Sequence, residues 1–284
     1  MKENIRKIRE RLAGSYTKGE IDAMERIIFE RLMGYSPVDM VLRADTTVPD
    51  FISEKIDDTI ERLLAHEPIQ YVLDDAYFYG LHFHVDRHTL IPRPETEQLI
   101  DLVAGQNTAT DLQVLDVGTG SGCIAIALAR TLKFAHVTAT DISPDAIAVA
   151  ERNAHELKTR VCFVVDDILS TRLAATPSYD IIVSNPPYVT EMERAAMERN
   201  VLDYEPHAAL FVPDDNPLLF YRTITDFALK ALRPGGRLYF EINPLFADDM
   251  VTMLTNAGLA DAHTEPDYTG KRRFAIAQLK TLRP

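Results

Sequence analysis

Cysteine is scarce in this 284-residue chain, with Cys123 and Cys162 the whole complement. They form no Cys-x-x-Cys pair and have no histidine at ligand spacing, which argues against a disulfide framework and against a zinc or other metal site. Both lie in apolar runs, so core packing is expected of each. Long hydrophobic stretches are also missing. The longest, Cys123 to Ala129, falls well short of the roughly 20 residues that a membrane span requires. The opening Met1-Lys2-Glu3-Asn4-Ile5-Arg6-Lys7 is charged and lacks the apolar core of a secretion signal. A cytoplasmic protein with no membrane partner is expected. Basic charge is in deficit, since 30 Lys and Arg stand against 43 Asp and Glu, for a formal net charge of -13. Binding by bulk neutralisation of a nucleic-acid backbone is therefore a poor reading, although a local basic patch is still allowed.

What is present is the composition of a folded protein. Hydrophobic residues make up 46% and charged residues 26%, which excludes extensive disorder and a fibrous chain. A chain of this length suits two domains. Up to about Leu64 the apolar residues recur at three and four: Ile21, Met24, Ile27, Ile28 and Leu32, then Phe51, Ile52, Ile56, Ile60, Leu63 and Leu64. These predict amphipathic helices, broken at Gly34 and Pro37, with Asp50 as the N-cap of the last. Residues 1–70 are read as an all-helical domain. Residues 71–95 are read as a connector, a hairpin around Tyr77–Val85 followed by extended chain stiffened by Pro92 and Pro94. A helix can begin near Glu95. Beyond Asp111, strands at about 114–117, 137–140, 161–165, 181–184 and 237–242 alternate with helices at about 122–133, 144–156, 216–232 and 245–256. Strands near 260–263 and 274–279 close the chain, the last of them antiparallel. Such alternation in residues 96–284 predicts an α/β domain with a doubly wound, largely parallel sheet and a ligand beyond the carboxyl ends of its strands.

The segment Val114-Leu115-Asp116-Val117-Gly118-Thr119-Gly120-Ser121-Gly122 ends a strand and opens a helix. Its glycines let a backbone approach a nucleotide cofactor where a Cβ would collide. Gly120-Ser121-Gly122-Cys123-Ile124-Ala125 also satisfies the dinucleotide fingerprint, so NAD competes with S-adenosylmethionine at this point. Asp116, just before the glycines, suits a ligand carrying a cationic amino group. Asp141, at the end of the next strand, can accept from both ribose hydroxyls, and Ser143-Pro144 behind it reads as a helix cap. Asp166 and Asp167 follow the third strand. There a carboxylate or a backbone amide can meet an adenine edge, the competing reading being two solvated loop acids.

After the fourth strand stands Asn185-Pro186-Pro187-Tyr188. Two prolines remove backbone donors and leave acceptors exposed. The Asn185 side-chain oxygen and the Pro186 carbonyl can each take one hydrogen of an –NH2 group, aligning the nitrogen lone pair with a methyl group to be transferred. Tyr188 offers an aromatic face to a planar substrate or to a cationic methyl donor. A structural reading, a Pro-Pro turn closing a strand, loses weight because the motif falls at the ligand edge of the sheet. Asn185, Pro186 and Tyr188 are the candidate catalytic residues, and Asn185–Tyr188 the substrate-binding set. The cofactor set is Asp116, Gly118, Thr119, Gly120, Ser121, Gly122, Asp141, Asp166, Asp167 and Asn185.

Over essentially its whole length the chain resembles the bacterial release factor glutamine methyltransferases. The likeness rests on Glu67-Pro68-Ile69-Gln70-Tyr71, on Leu90-Ile91-Pro92-Arg93-Pro94-Glu95-Thr96-Glu97, on the glycine turn, on Asn185–Tyr188, and on Glu205-Pro206 with Ala209-Leu210. The second of these is the most specific, because amino-methylating DNA enzymes share Asn-Pro-Pro-Tyr but generally lack it. The resemblance implies a class I methyltransferase domain, Rossmann-like with a seven-stranded sheet, and a helical N-terminal domain that helps hold the substrate protein. It implies methyl transfer from S-adenosylmethionine to N5 of the glutamine in the Gly-Gly-Gln motif of release factors, by a monomer that needs no direct nucleic-acid contact. Two alternatives remain open: glutamine methylation of a ribosomal protein, and adenine-N6 methylation of DNA, for which the acidic charge is poor equipment. Asp167 stands where some relatives carry an aromatic residue, and Glu241-Ile242-Asn243 departs from the Glu-His-Gly often found after the fifth strand. Neither departure is expected to touch the transfer chemistry.

Overall fold

A computed structural model describes residues 1–173 and 176–281. The chain divides into two compact units, Met1–Asp75 with Glu198–Tyr204, and Ala76–Met197 with Glu205–Pro284. The first is helical: α1 (Lys2–Leu12), α2 (Lys18–Met33), α3 (Pro37–Leu42), α4 (Asp50–Leu64) and the single turn α5 (Ile69–Val72). Reciprocal capping boxes start α2 at Thr17/Glu20 and α3 at Ser36/Asp39, and Gly34 ends α2 in the left-handed conformation. Asp50 is not a cap. The helix begins on it, Pro49 holds the cap position, and neither side chain caps the free amides. Ile8, Leu12, Ile28, Phe29, Ile56, Ile60 and Leu63 fill the core of this unit. The Glu67–Tyr71 segment has a structural role here: Arg62 binds Glu67 through two nitrogens (2.8 and 2.6 Å) and donates to the carbonyls of Tyr71 and Val72 (3.2 and 2.9 Å). Carbonyls at the end of a short helix are thereby satisfied.

The second unit opens on a hairpin, β1 (Ala76–Phe78) and β2 (Leu81–Phe83). Tyr79 and Gly80 at its tip both have positive φ, +49° and +76°, the two-residue turn whose twist suits paired strands. A 3₁₀ turn at Pro94–Thr96 precedes α6 (Glu97–Gln106), so the α-helix starts two residues later than the sequence suggests, after Pro94 has set the first turn. Then follow β3 (Gln113–Val117), α7 (Cys123–Thr131), β4 (His136–Asp141), α8 (Pro144–Glu156), β5 (Cys162–Val165), β6 (Tyr179–Ser184), the short β7 (Val189–Thr190), β8 (Phe211–Val212), α10 (Leu219–Ala231), β9 (Leu232–Glu241), α11 (Ala247–Asn256), β10 (Ala260–Pro266) and β11 (Arg272–Gln278), while α9 (Arg199–Tyr204), which lies between β7 and β8 in the chain, belongs to the first unit.

The seven-stranded sheet has the order β10-β11-β9-β6-β3-β4-β5. β11 runs antiparallel to both neighbours and the other pairings are parallel. Helices α6 and α7 share one buried cluster, and α10 and α11 the other, giving the three-layer α/β architecture expected from the alternation. Cys123 is buried, whereas Cys162 is exposed. The apolar run around Cys162 belongs to the edge strand β5, where one side of the ladder is open. Among the described residues no helix is long and apolar enough to cross a membrane.

Candidate active site

Strand register assembles the site. Val117 of β3 is level with Ser184 of β6, and Ser184 with Phe240 of β9. On the other side Val117 is level with Thr140, and Asp141 with Val165. The glycine turn, Asp141, Asp166, Asn185 and Glu241 therefore stand together at the carboxyl ends of neighbouring strands. They surround the place between β3 and β6 where strand order reverses, which is where an open α/β sheet takes its ligand.

The glycine turn is held from below. The amides of Gly118 and Thr119 donate to the Thr140 carbonyl (both 2.8 Å), and Gly120 N–H donates to Asp141 Oδ2 at 2.9 Å. Gly122 has φ +81°, and a Cβ there would lie 3.0 Å from the Cβ of Ala150 in α8, so this position accepts only glycine without displacing a helix. Asn153, buried on the same helix, donates to the carbonyls of Ser121 and His84 (both 2.9 Å) and accepts from His84 N–H at 2.7 Å. One amide thus fastens the turn to the chain that follows the hairpin. Asn153→Ala should lower stability by about 2–3 kcal/mol, since it orphans buried backbone groups. A urea denaturation midpoint unchanged from the parent would show that water replaces the amide without cost.

Asp116, expected to suit a cationic amino group, is fully buried at the carboxyl end of β3, just before the turn. Thr119 Oγ1 donates to its Oδ2 at 2.7 Å, and its Oδ1 finds no hydrogen-bond partner among the described residues. Burial pushes the carboxyl up to about 7, against the pull of the Thr119 hydroxyl. An ionised buried carboxylate with an orphaned oxygen is offset by a nearby cation, so this residue fits a ligand bearing an ammonium group, through the field it exerts. The Ser121 hydroxyl is likewise buried without a partner.

Asp141 is mostly buried, which raises its carboxyl, while the amides of Gly120 and Ser143 pull the other way. Each oxygen accepts one amide, at 2.9 and 3.0 Å, leaving further lone pairs for a pair of hydroxyls. Ser143 caps α8, accepting from Ala146 N–H at 3.1 Å. Ile142 is 60% exposed between them, and Val165 and Leu169 are exposed nearby in sequence to Asp166 and Asp167. Large apolar side chains bare beside a ribose-type acceptor suit the face of a planar heterocycle. The sequence reading passed over Ile142, although an isoleucine between Asp141 and Ser143 at a strand end was the available signal. Asp166 and Asp167 are occupied locally. Asp166 accepts from Thr171 Oγ1 (2.5 Å) and Arg172 N–H (3.0 Å), and Asp167 from Leu169 N–H (2.9 Å) and Ser170 Oγ (3.1 Å). Both carboxylates shape the 168–172 turn, the role that their position alone could not separate from ligand contact.

Asn185, half-buried, has a side-chain amide that bonds to none of the described residues, and the Pro186 carbonyl likewise accepts nothing from them. Neither acceptor is engaged by the described residues, Asn185 being half-buried and Pro186 buried. Ser184 Oγ donates to the Val117 carbonyl at 2.6 Å, locking the strand beneath them to β3. Tyr188 is also half-buried. Its hydroxyl donates to Glu241 Oε1 at 3.1 Å, and burial together with that carboxylate raises its pKa. Part of the ring packs against the β6–β9 core, so it presents a fixed and partial aromatic face.

Residues far apart in the chain complete the support. Glu241, buried, also accepts from Thr96 Oγ1 at 2.6 Å, and burial raises its carboxyl. Glu205, buried, accepts from Ile91 N–H at 3.1 Å and pairs with Arg93 at 2.6 Å. The Pro92–Thr96 segment and Glu205-Pro206, read as separate motifs, are thus bonded to one another, and the first reaches Tyr188 through Thr96 and Glu241. Asn243 touches Tyr188 as well, donating to its carbonyl at 3.2 Å. The Glu241-Ile242-Asn243 segment is thus bonded to the Asn185–Tyr188 loop at both its ends.

Residues 3–73 match the family described as PrmC N-terminal domain, and residues 96–204 the Methyltransferase small domain. The chain is 44% identical over 270 residues to a release factor glutamine methyltransferase of Bacteroides thetaiotaomicron, covering 95% of this chain and 97% of the relative. It is 40% identical to one of Flavobacterium psychrophilum, covering 93% of each. Among solved structures, a methyltransferase from Pyrococcus furiosus superposes with a TM-score of 0.53 at 17% identity, over 78% of this chain and 98% of its own. At that identity the superposition speaks for the fold alone.

Proposed function

The chain belongs to the release factor glutamine methyltransferases, and from that premise we propose that it methylates N5 of the glutamine in the Gly-Gly-Gln motif of peptide chain release factors. S-adenosylmethionine is the methyl donor, and it supplies an electrophilic methyl group. The observation that carries the reading is the pairing of β3 with β6, which sets the glycine turn beside two unengaged acceptors at the switch point.

Gly118–Gly122 and Asp141 hold the cofactor, with Asp116 acting from behind the turn. Ile142 offers the apolar surface, and the 168–172 turn borders it. Asn185 Oδ1 and the Pro186 carbonyl each accept one N–H of the substrate amide. An amide nitrogen is a weak nucleophile because its lone pair is delocalised into its own carbonyl. Two acceptors favour a pyramidal nitrogen whose N–H groups become more acidic as it attacks, so they bind the transition state more strongly than the ground state. Pro187 stiffens the loop, and Tyr188, anchored by its hydroxyl, presents its ring to the substrate. The helical unit is the substrate-recognition element. The enzyme acts as a monomer in the cytoplasm on a protein substrate, without direct nucleic-acid contact.

Incubation with tritiated S-adenosylmethionine and purified release factor should label the factor, and replacing the Gly-Gly-Gln glutamine by alanine should remove the label. Labelling of DNA or of ribosomal protein with the factor untouched would overturn the assignment.

A further inference from the structure

The loop Asn185–Tyr188 has an unusual holding problem. Pro186 and Pro187 have no N–H to donate, and the Asn185 amide and Pro186 carbonyl have to stay unpaired to meet a substrate. Its near end is tied through Ser184 to β3, and its far end is held by groups that belong to other segments. Tyr188 is where it is gripped. Its hydroxyl reaches Glu241, and its carbonyl accepts from Asn243 Nδ2 at 3.2 Å.

Asn243 is buried, and both ends of its side-chain amide are bonded. Its Oδ1 accepts from Leu245 N–H at 3.0 Å, which decides which end of the amide faces Tyr188. Its Nδ2 donates to Glu193 Oε2 at 2.9 Å as well as to the Tyr188 carbonyl. That same Glu193 oxygen accepts from Thr190 N–H (2.9 Å) and Thr190 Oγ1 (2.8 Å). One amide therefore joins the segment after β9, the turn after β7 and the end of the reactive loop.

We infer that Asn243 is a positioning residue for methyl transfer, acting through the Tyr188 carbonyl, with Glu193 as the acceptor that keeps its amide aimed. It touches neither cofactor nor substrate. Its effect falls on how well the Asn185 and Pro186 acceptors meet the substrate nitrogen, so it belongs to turnover and not to cofactor binding. Asn243→Asp is nearly isosteric, yet it removes the donor and sets a carboxylate against Glu193 and the Tyr188 carbonyl. Asn243→Ala removes the donor without adding charge. Glu193→Gln keeps an oxygen that can accept from Asn243 and Thr190.

The inference rests on the proposed reaction, so the parent enzyme is assayed alongside, with release factor as substrate and S-adenosylmethionine affinity measured separately by calorimetry. Both Asn243 variants should lose about tenfold or more in kcat, as expected for one lost hydrogen bond that orders a reacting group. Their Kd for S-adenosylmethionine should stay within about threefold of the parent, and Glu193→Gln should keep kcat within about threefold. An Asn243→Ala enzyme with parental kcat would overturn the positioning role. So would a loss of kcat matched by an equal loss of cofactor affinity, the mark of a general disturbance of the pocket. A parent that fails to label the factor would instead count against the reaction itself.

Discussion

Replacing Asn185 by alanine lowers turnover by about hundredfold or more, while S-adenosylmethionine still binds. The side chain bonds to none of the described residues, so its removal costs the fold little and its contribution goes to the substrate. An acceptor whose bond strengthens as charge develops is worth about 3 kcal/mol in the transition state, which corresponds to roughly two orders of magnitude in rate. Single-turnover labelling with saturating cofactor is the measurement. Unchanged turnover with intact cofactor binding would remove Asn185 from the proposed mechanism.

The second large effect concerns Asp116 and appears in stability rather than rate. An ordinary aspartate ionises near pH 4, whereas burial pushes the Asp116 carboxyl up to about 7 in the folded chain. Between those values the folded state keeps a proton that the unfolded state has released. Stability then falls as pH rises, by up to about 1.4 kcal/mol per pH unit from this group, and levels off above pH 7. Asp141 and Glu241, also raised by burial, contribute slopes of the same sign. The difference between parent and Asp116→Asn isolates the share of Asp116: urea unfolding between pH 4.5 and 7 should give a shallower pH slope for the variant. Parallel slopes would mean that Asp116 is already ionised in the folded protein at acid pH.

The strands and their order of alternation were legible because apolar runs broken by glycine and polar residues report local periodicity directly. Asn185–Tyr188 and the glycine turn stand out as candidates for a related reason, since each follows a strand and is made of consecutive residues. The supports of the site lie elsewhere. Glu241 meets Tyr188 and Thr96, and Glu205 meets Ile91 and Arg93, across separations of 53 to 145 residues. No local pattern encodes such partners. Cys162 was misplaced because an apolar run does not disclose whether its strand is central or at an edge. The full burial of Asp116 was not legible either, because spacing says that a carboxylate is near the glycines, not which face of the backbone it occupies. Asp166 and Asp167 show a third limit, in that the turn each braces is not visible in one dimension.

The sheet itself sets the distance across which the methyl group must pass. Parallel neighbours stand about 4.8 Å apart and advance about 3.3 Å per residue, and β3 and β6 are paired continuously from Val114–Ile181 to Val117–Ser184. The strands that carry the two halves of the candidate site are thus registered by a backbone ladder, on which the loop contacts then act. A single residue gained or lost within β6 would shift Asn185 by a whole step and turn it to the opposite face, leaving a cofactor pocket with nothing aimed at it.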